Sequence, residues 1–292
     1  MTANDNISEV LDQWGLGGSE VTLIESRSRS VWDISGEFIL KRYTNADAVS
    51  RGIRLSELLI PHQIPAPVFV RAKEGLLTSP DGLYCLMEKL PGKHGDFFNE
   101  PALSVEMGRA LAKLHKALAV IEPKISVNDS DLLDDWQKRV KPSLHDIPER
   151  VVQGVDVKFR DIYPKLPRQL IHRDVHAENA LFDGGRLTGW LDFEIGQRNA
   201  RIFDIAYFLS GLLFGNTNDP EKIKRWHLIY SDLLKGYREI SPLSDDESEA
   251  LPVLMIVIEF LFVWFWDKHG DQKQRGMSRE LGEWFYASSF RG

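Results

Sequence analysis

A single cysteine in 292 residues, Cys85, is too few for an internal disulfide or a cysteine-based metal cluster. That scarcity fits a reducing compartment, so a cytoplasmic location is expected. Basic charge is also in short supply. The 36 Lys and Arg residues are outnumbered by 43 Asp and Glu, for a net charge of -7, and no chain-wide positive field exists to hold nucleic acid. Met1 to Asn6 is polar and lacks the basic-then-apolar order of a signal peptide. Long hydrophobic runs are missing too. The most apolar stretch, Leu251 to Trp266, contains Glu259 and falls short of the roughly 20 residues that span a bilayer, so it reads as a buried core helix. Neither a nucleic-acid nor a membrane partner is expected. No repeat or low-complexity tract interrupts the chain.

What is present is an ordinary globular composition, 43% apolar and 27% charged, long enough to bury a substantial core in one or two domains. Ile7 to Trp14 reads as a short amphipathic helix that Gly15 or Gly17 can cap. Val21 to Glu25, Val31 to Ile34 and Glu37 to Tyr43 read as strands, with Ser35-Gly36 turning between the second and third. Asp47 to Leu59 has helical spacing and must stop at Pro61. Pro67 to Arg71 and Tyr84 to Lys89 read as two more strands. After Leu90-Pro91-Gly92 the pattern turns helical, most clearly over Leu103 to Leu118. Strands first and helices later predict an α+β fold of two lobes: a small β-rich lobe over residues 1–90 and a larger helical lobe over 91–292.

The segment that carries chemistry is His172-Arg173-Asp174-Val175-His176-Ala177-Glu178-Asn179. It matches the H-R-D-L-x-x-x-N catalytic loop of kinases, with Val175 in place of Leu. Thirteen residues after Asn179, Asp192-Phe193-Glu194 follows an apolar run and resembles the metal-binding D-F-G element, with Glu194 in place of Gly. His, Arg, Asp and Asn at this spacing would arise by accident in about one such chain in 500 at ordinary residue frequencies. Phosphoryl transfer needs alignment and charge neutralisation more than covalent help. Asp174 suits the base that accepts the proton of an acceptor hydroxyl. Asn179 and Asp192 offer a neutral and a charged oxygen to Mg2+, which takes few protein ligands beside phosphate oxygens. Two other readings stay open at this point. His172, Asp174 and His176 alternate as strand ligands of a metal hydrolase might, or the scaffold binds nucleotide without catalysis.

The amino-terminal half supplies supporting parts. Phe38-Ile39-Leu40-Lys41 resembles the V-A-I-K strand whose lysine reaches nucleotide phosphates. The expected phosphate-covering loop is Ser26-Arg27-Ser28-Arg29-Ser30, with Ser28 at its centre and serines where kinases place glycines. Glu57 is the glutamate available in the following helix to pair with Lys41. Leu86-Met87-Glu88-Lys89-Leu90-Pro91-Gly92 reads as the hinge: Met87 flanks adenine, and Glu88 to Leu90 offer backbone groups to its edge. Cys85 reads as core.

Taken together with Leu111-Ala112-Lys113-Leu114-His115 and Phe203-Asp204-Ile205-Ala206, these motifs resemble the aminoglycoside phosphotransferase and choline kinase superfamily. The resemblance covers nearly the whole chain in order. It implies a two-lobed protein-kinase-like fold, ATP and Mg2+, and transfer to the hydroxyl of a small molecule. It also implies that Asp204 braces the catalytic loop. Nine residues separate Glu194 from Asp204, and no Ala-Pro-Glu follows, so the platform on which a protein kinase docks a peptide is lacking. The carboxy-terminal aromatics, Phe260 to Trp266 and Trp284 to Tyr286, are core or a cation–π cage for an amine. Glu259, Asp267 and Asp271 are candidate contacts for an amino group.

Overall fold

The computed structural model describes residues 7–24, 30–126, 129 and 131–289. Strands β1 (Val21–Leu23), β2 (Val31–Ile34), β3 (Phe38–Arg42) and β4 (Tyr84–Glu88) form one antiparallel sheet in that order. Ser35, Gly36 and Glu37 join β2 to β3; Ser35 and Gly36 are left-handed, with φ of 55° and 75°, and the Glu37 amide closes the turn on Ile34 O (3.1 Å). Helix α1 (Ile7–Leu11) inserts Leu11 between Ile34, Leu40, Tyr84 and Leu86. Helix α2 (Ala46–Leu59) starts at Asn45, whose side chain accepts from the Asp47 and Ala48 amides.

Residues 67–71 do not form the expected strand. They touch β4 at a single bridge, Phe69 to Met87, framed by Val70 N–H to Leu86 O (2.9 Å) and Glu88 N–H to Val68 O (2.9 Å). Pro65 and Pro67 donate no hydrogen bond, which confines this stretch to a short edge contact.

The second lobe is helical with two small sheets. Its elements are β5 (Lys93–His94), α3 (Leu103–Ile121), α4 (Leu132–Asp135), α5 (Glu149–Ile162), β6 (Arg168–Ile171), β7 (Ala180–Asp183), β8 (Arg186–Trp190), β9 (Gln197–Ala200), α6 (Ile202–Leu213), α7 (Pro220–Ile240), α8 (Asp245–Lys268) and α9 (Gln272–Ser289). Strands β5, β7 and β8 form one sheet, and β6 pairs with β9 in another. Helices α3 and α7 cross with their backbones in contact. A Cβ on Gly108 would lie 2.0 Å from Leu233 O, and one on Gly236 would lie 2.0 Å from Val105 O, so only glycine fits at either position. Helix α8 has the length and composition of a membrane span, but 61% of its most apolar window is buried. Met255, Ile256 and Phe260 lie in the core that runs from α3 to α9. This is the expected two-lobed α+β architecture.

The Leu90-Pro91-Gly92 crossing between the lobes is pinned to the β7–β8 hairpin. Thr188 Oγ1 donates to Pro91 O (2.6 Å). Gly92 has φ of 104°, and a Cβ there would stand 2.7 Å from Phe182 O. Leu90 fills the space that Gly189 leaves open, since a Cβ on Gly189 would be 2.9 Å from Leu90 Cδ1.

Candidate active site

Strand β6 ends at Ile171, and the chain then bends through residues 172–176 into a single turn over Ala177–Asn179 before β7. The bend is held from below by Asp204, in the first turn of α6 and fully buried. Its carboxylate accepts from the His172 amide (2.9 Å) and the Arg173 amide (2.9 Å), and it contacts His115 Nε2 (3.0 Å). His115 in turn meets the Tyr237 hydroxyl at 2.8 Å. Arg173 takes the left-handed conformation, φ 76°, and lays its guanidinium 4.1 Å over the Phe203 ring. A non-glycine residue there is strained, and the bonds to Asp204 hold it in place. His172 donates through Nε2 to Leu191 O (2.7 Å) and accepts at Nδ1 from the Asp174 amide (3.3 Å). Both its nitrogens are thus committed to backbone. Among the described residues, no three His, Cys, Asp or Glu side chains are grouped to hold a metal, so the metal-hydrolase reading loses its ligand set.

Above the bend stands Asp174. Its Oδ2 accepts from Asn179 Nδ2 (3.1 Å) and its Oδ1 from the Tyr207 hydroxyl (3.1 Å). Asn179 Nδ2 also donates to Asp174 O (2.9 Å). His176 Nε2 lies 3.7 Å from Asp174 Oδ2. Burial pushes the Asp174 carboxyl up, but the hydrogen bond and charge of His176, with help from His172 and Tyr207, bring it below the usual range. The converse holds for His176. Burial opposes its charge, yet the Asp174 carboxylate raises it above the ordinary imidazole value.

Leu191 N–H donates to Asn179 O (3.0 Å), and this bond places Asp192 beside Asn179. Asp192 itself is left-handed, φ 60°. Its Oδ1 sits 2.5 Å from Lys41 Nζ, and Glu194 Oε1 lies 2.8 Å from the same nitrogen. The lysine of β3 is therefore gripped by two carboxylates from the other lobe. Glu57, the residue expected to pair with it, instead lies exposed on α2, 4.0 Å from Arg54. Helix α2 approaches Glu194 through Gly52. A Cβ there would stand 3.3 Å from Glu194 Cγ, and Arg51 donates to Glu194 O (2.9 Å). Burial and the neighbouring Asp192 charge raise the Glu194 carboxyl above the usual range. Burial opposes the charge on Lys41, but the two carboxylates outweigh it and raise the ammonium.

The hinge residues line the end of β4. Met87 is buried and pairs with Ile39, while Glu88 pairs with Phe38 and is exposed. The Glu88 amide is already committed to Val68 O and the Lys89 amide to Glu37 O. Ser28 lies outside the described residues. Cys85 is buried across from Lys41, and burial with the Glu194 charge pushes its thiol up to about 12, which makes it an inert wall residue.

Of the three acidic candidates for an amine contact, one is buried and two are engaged within the fold. Glu259 is 2% exposed within α8, and Asp267 Oδ1 lies 3.2 Å from Arg275 Nε. Asp271 Oδ1 accepts from the Gln274 amide at the start of α9 (3.0 Å). The half-buried face of α8 presents rings instead. Tyr207 stacks on Phe262 (centroids 5.8 Å apart, 21°), and Phe262 stacks on Trp266 (6.3 Å, 23°).

A catalytic-loop aspartate, an asparagine five residues on, and an aspartate gripping the β3 lysine are thus gathered at one lobe junction. Comparison with known proteins supplies the family. Residues 20–243 match the model of the phosphotransferase enzyme family, APH. The chain belongs to that family. Over 248 residues, 79% of the chain, this phosphotransferase is 26% identical to the homoserine kinase of Brucella canis, of which 72% is covered. Among solved structures it resembles an amicoumacin kinase in complex with AMP-PNP, Ca2+ and Ami (TM-score 0.73, 17% identity, 99% of this chain and 94% of the other). It also resembles a microcompartment-associated aminopropanol kinase (TM-score 0.71, 15% identity, 98% and 96%). It is a small-molecule kinase with a kinase-like fold.

Two residues of this cleft take positions that the motif spacing does not announce. Glu194 departs from D-F-G in sequence and in the fold supplies one of the two carboxylates on Lys41. The clue was Gly52, a glycine inside an otherwise good helix, which marks a close approach. Tyr207 carried no motif at all.

Proposed function

We propose that this phosphotransferase moves the γ-phosphoryl group of Mg-ATP to a hydroxyl of a small, amine-bearing molecule. The observation that carries the proposal is the convergence of Asp174, Asn179, Asp192 and Lys41 on one cleft, through contacts of 3.1 Å (Asp174–Asn179) and 2.5 Å (Asp192–Lys41).

In this reading residues 1–90 bind nucleotide and residues 91–292 carry catalysis and the acceptor. Met87 flanks adenine, the Glu88 carbonyl and the Leu90 amide meet its edge, and Lys41 reaches the phosphates. Ser28 belongs to the loop that covers them. The donor set fits Mg2+. With Nδ2 of Asn179 turned to Asp174, its carbonyl oxygen lies on the opposite side of the amide, and the Asp192 side chain is 41% exposed with one oxygen on Lys41. Asn179 and Asp192 would hold the ion, which when bound neutralises charge on the phosphate oxygens. Asp174 accepts the proton of the acceptor hydroxyl as its oxygen bonds to phosphorus and ADP departs. Its depressed pKa keeps it ionised and ready at neutral pH.

An amine on the acceptor is supported by three points. The Brucella canis relative is a homoserine kinase and a structural neighbour an aminopropanol kinase, both acting on an alcohol that carries an amine. The chain is acidic overall. The half-buried rings of Phe262 and Trp266 suit an ammonium by cation–π attraction.

The test is turnover of Mg-ATP with L-homoserine and 1-amino-2-propanol as first acceptors, followed by mass spectrometry of a metabolite extract. Asp174→Ala should lower kcat by on the order of 10² to 10⁴ and leave nucleotide affinity intact. Asp192→Ala should weaken Mg-dependent nucleotide binding itself. Wild-type turnover in Asp174→Ala would remove the base from the scheme.

A further inference from the structure

Asp174 Oδ1 is the oxygen that Asn179 leaves open, and the Tyr207 hydroxyl occupies it at 3.1 Å. Over Ile202–Ser210 of α6 every residue is buried except Tyr207, so one side chain of that helix faces the cleft. Its ring stacks on Phe203 (6.0 Å, 24°) and on Phe262 (5.8 Å, 21°), with His176 edge-on at 6.5 Å. The stacking seats the hydroxyl on Oδ1 as long as no acceptor competes for that oxygen. Burial and the Asp174 charge hold the phenol protonated far above its ordinary range, so it meets the carboxylate as a donor and never as a competing base.

An acceptor alcohol must bring its O–H to a base within hydrogen-bond reach. From these contacts, and resting on the assignment of Asp174 as that base, we infer that Tyr207 sits in the seat of the acceptor hydroxyl and keeps water from using it. The acceptor displaces the phenol from Oδ1 and lays its frame against Phe262 and Trp266, which continue the same file of rings. Tyr207 is thus a specificity-determining residue that discriminates alcohol from water.

The competing reaction has a defined balance. The oxygen of water bonds to the γ-phosphorus, the bond to the bridging oxygen breaks, and ADP leaves with that electron pair. Asp174 Oδ1 takes the proton, and the products are ADP and inorganic phosphate. Water carries no frame to gain from the rings, so it does not displace the phenol as an acceptor does.

The decisive measurement is ADP formation from Mg-ATP in the absence of any acceptor. Tyr207→Phe keeps the ring and its stacking, and its melting temperature serves as the folding control. Hydrolysis should rise about ten-fold in kcat, the order expected for removing one hydrogen bond to a charged oxygen, with KM for ATP unchanged. A merely loosened fold would move both constants. The rise should vanish in the Tyr207→Phe/Asp174→Asn double variant. Hydrolysis equal to or below wild type in Tyr207→Phe overturns the inference, while a drop in Asp174→Asn alone still supports the base. A rise that persists in the double variant overturns the base assignment itself.

Discussion

Lys41 on β3 meets Glu194 at 2.8 Å across the lobe junction, and Glu57 on α2 takes no part in that contact. The ion pair that fixes the β3 lysine comes from the segment that also carries Asp192. Both partners are largely shielded, with 17% and 13% side-chain exposure, so the pair is screened less than a surface bridge. Helix α2 contributes a gap, at Gly52, in place of a charge.

The two glutamates should separate cleanly on mutation. Glu194→Gln is expected to raise KM for ATP by about ten-fold, because Lys41 loses one of its two anchors. Glu57→Gln should change it by less than about two-fold, as expected for an exposed residue with a 4.0 Å neighbour. Initial rates over a range of Mg-ATP concentrations measure both.

Asp204 supports the catalytic bend without facing the cleft. Asp204→Ala strands the His172 and Arg173 amides and one nitrogen of His115 in a buried site. The expected cost is about 2–5 kcal/mol of stability, together with loss of turnover because Arg173 no longer has its left-handed geometry enforced. Denaturant unfolding and turnover of the folded fraction report the two effects separately.

Glu259 makes stability depend on pH. Burial lifts its carboxyl to about 8 from 4.5, against the partial opposing pull of Ser210 and Ser278, and its Oε2 has no hydrogen-bond partner among the described residues. The folded state therefore holds a proton that the unfolded chain has released. Its contribution is fully present below pH 4.5 and is lost progressively as pH rises to about 8. Glu259→Gln removes that titration. The variant should match wild type near pH 4.5 and exceed it by about 2–4 kcal/mol at pH 7.5, with the gap flat above pH 8. Chemical unfolding at several pH values checks it. A gap that does not change with pH would mean that Glu259 is already ionised in the fold.

That residues 172–179, Asp192 and Lys41 meet at one junction was legible in the chain because the kinase motifs they resemble have fixed local spacing. Ser35-Gly36 was equally readable, since a turn is satisfied within a few residues. The sequence by itself determined the phosphotransferase family and the order of strands and helices. Residues 67–71 misled, because strand pairing depends on neighbours and two prolines deny it donors. Only the tertiary structure decided that Glu194 and not Glu57 holds Lys41, that Asp204 gathers two backbone amides, and that Tyr207 covers Asp174. Each is a contact between residues 31 or more positions apart, and the distance between such residues is set by how the helices pack.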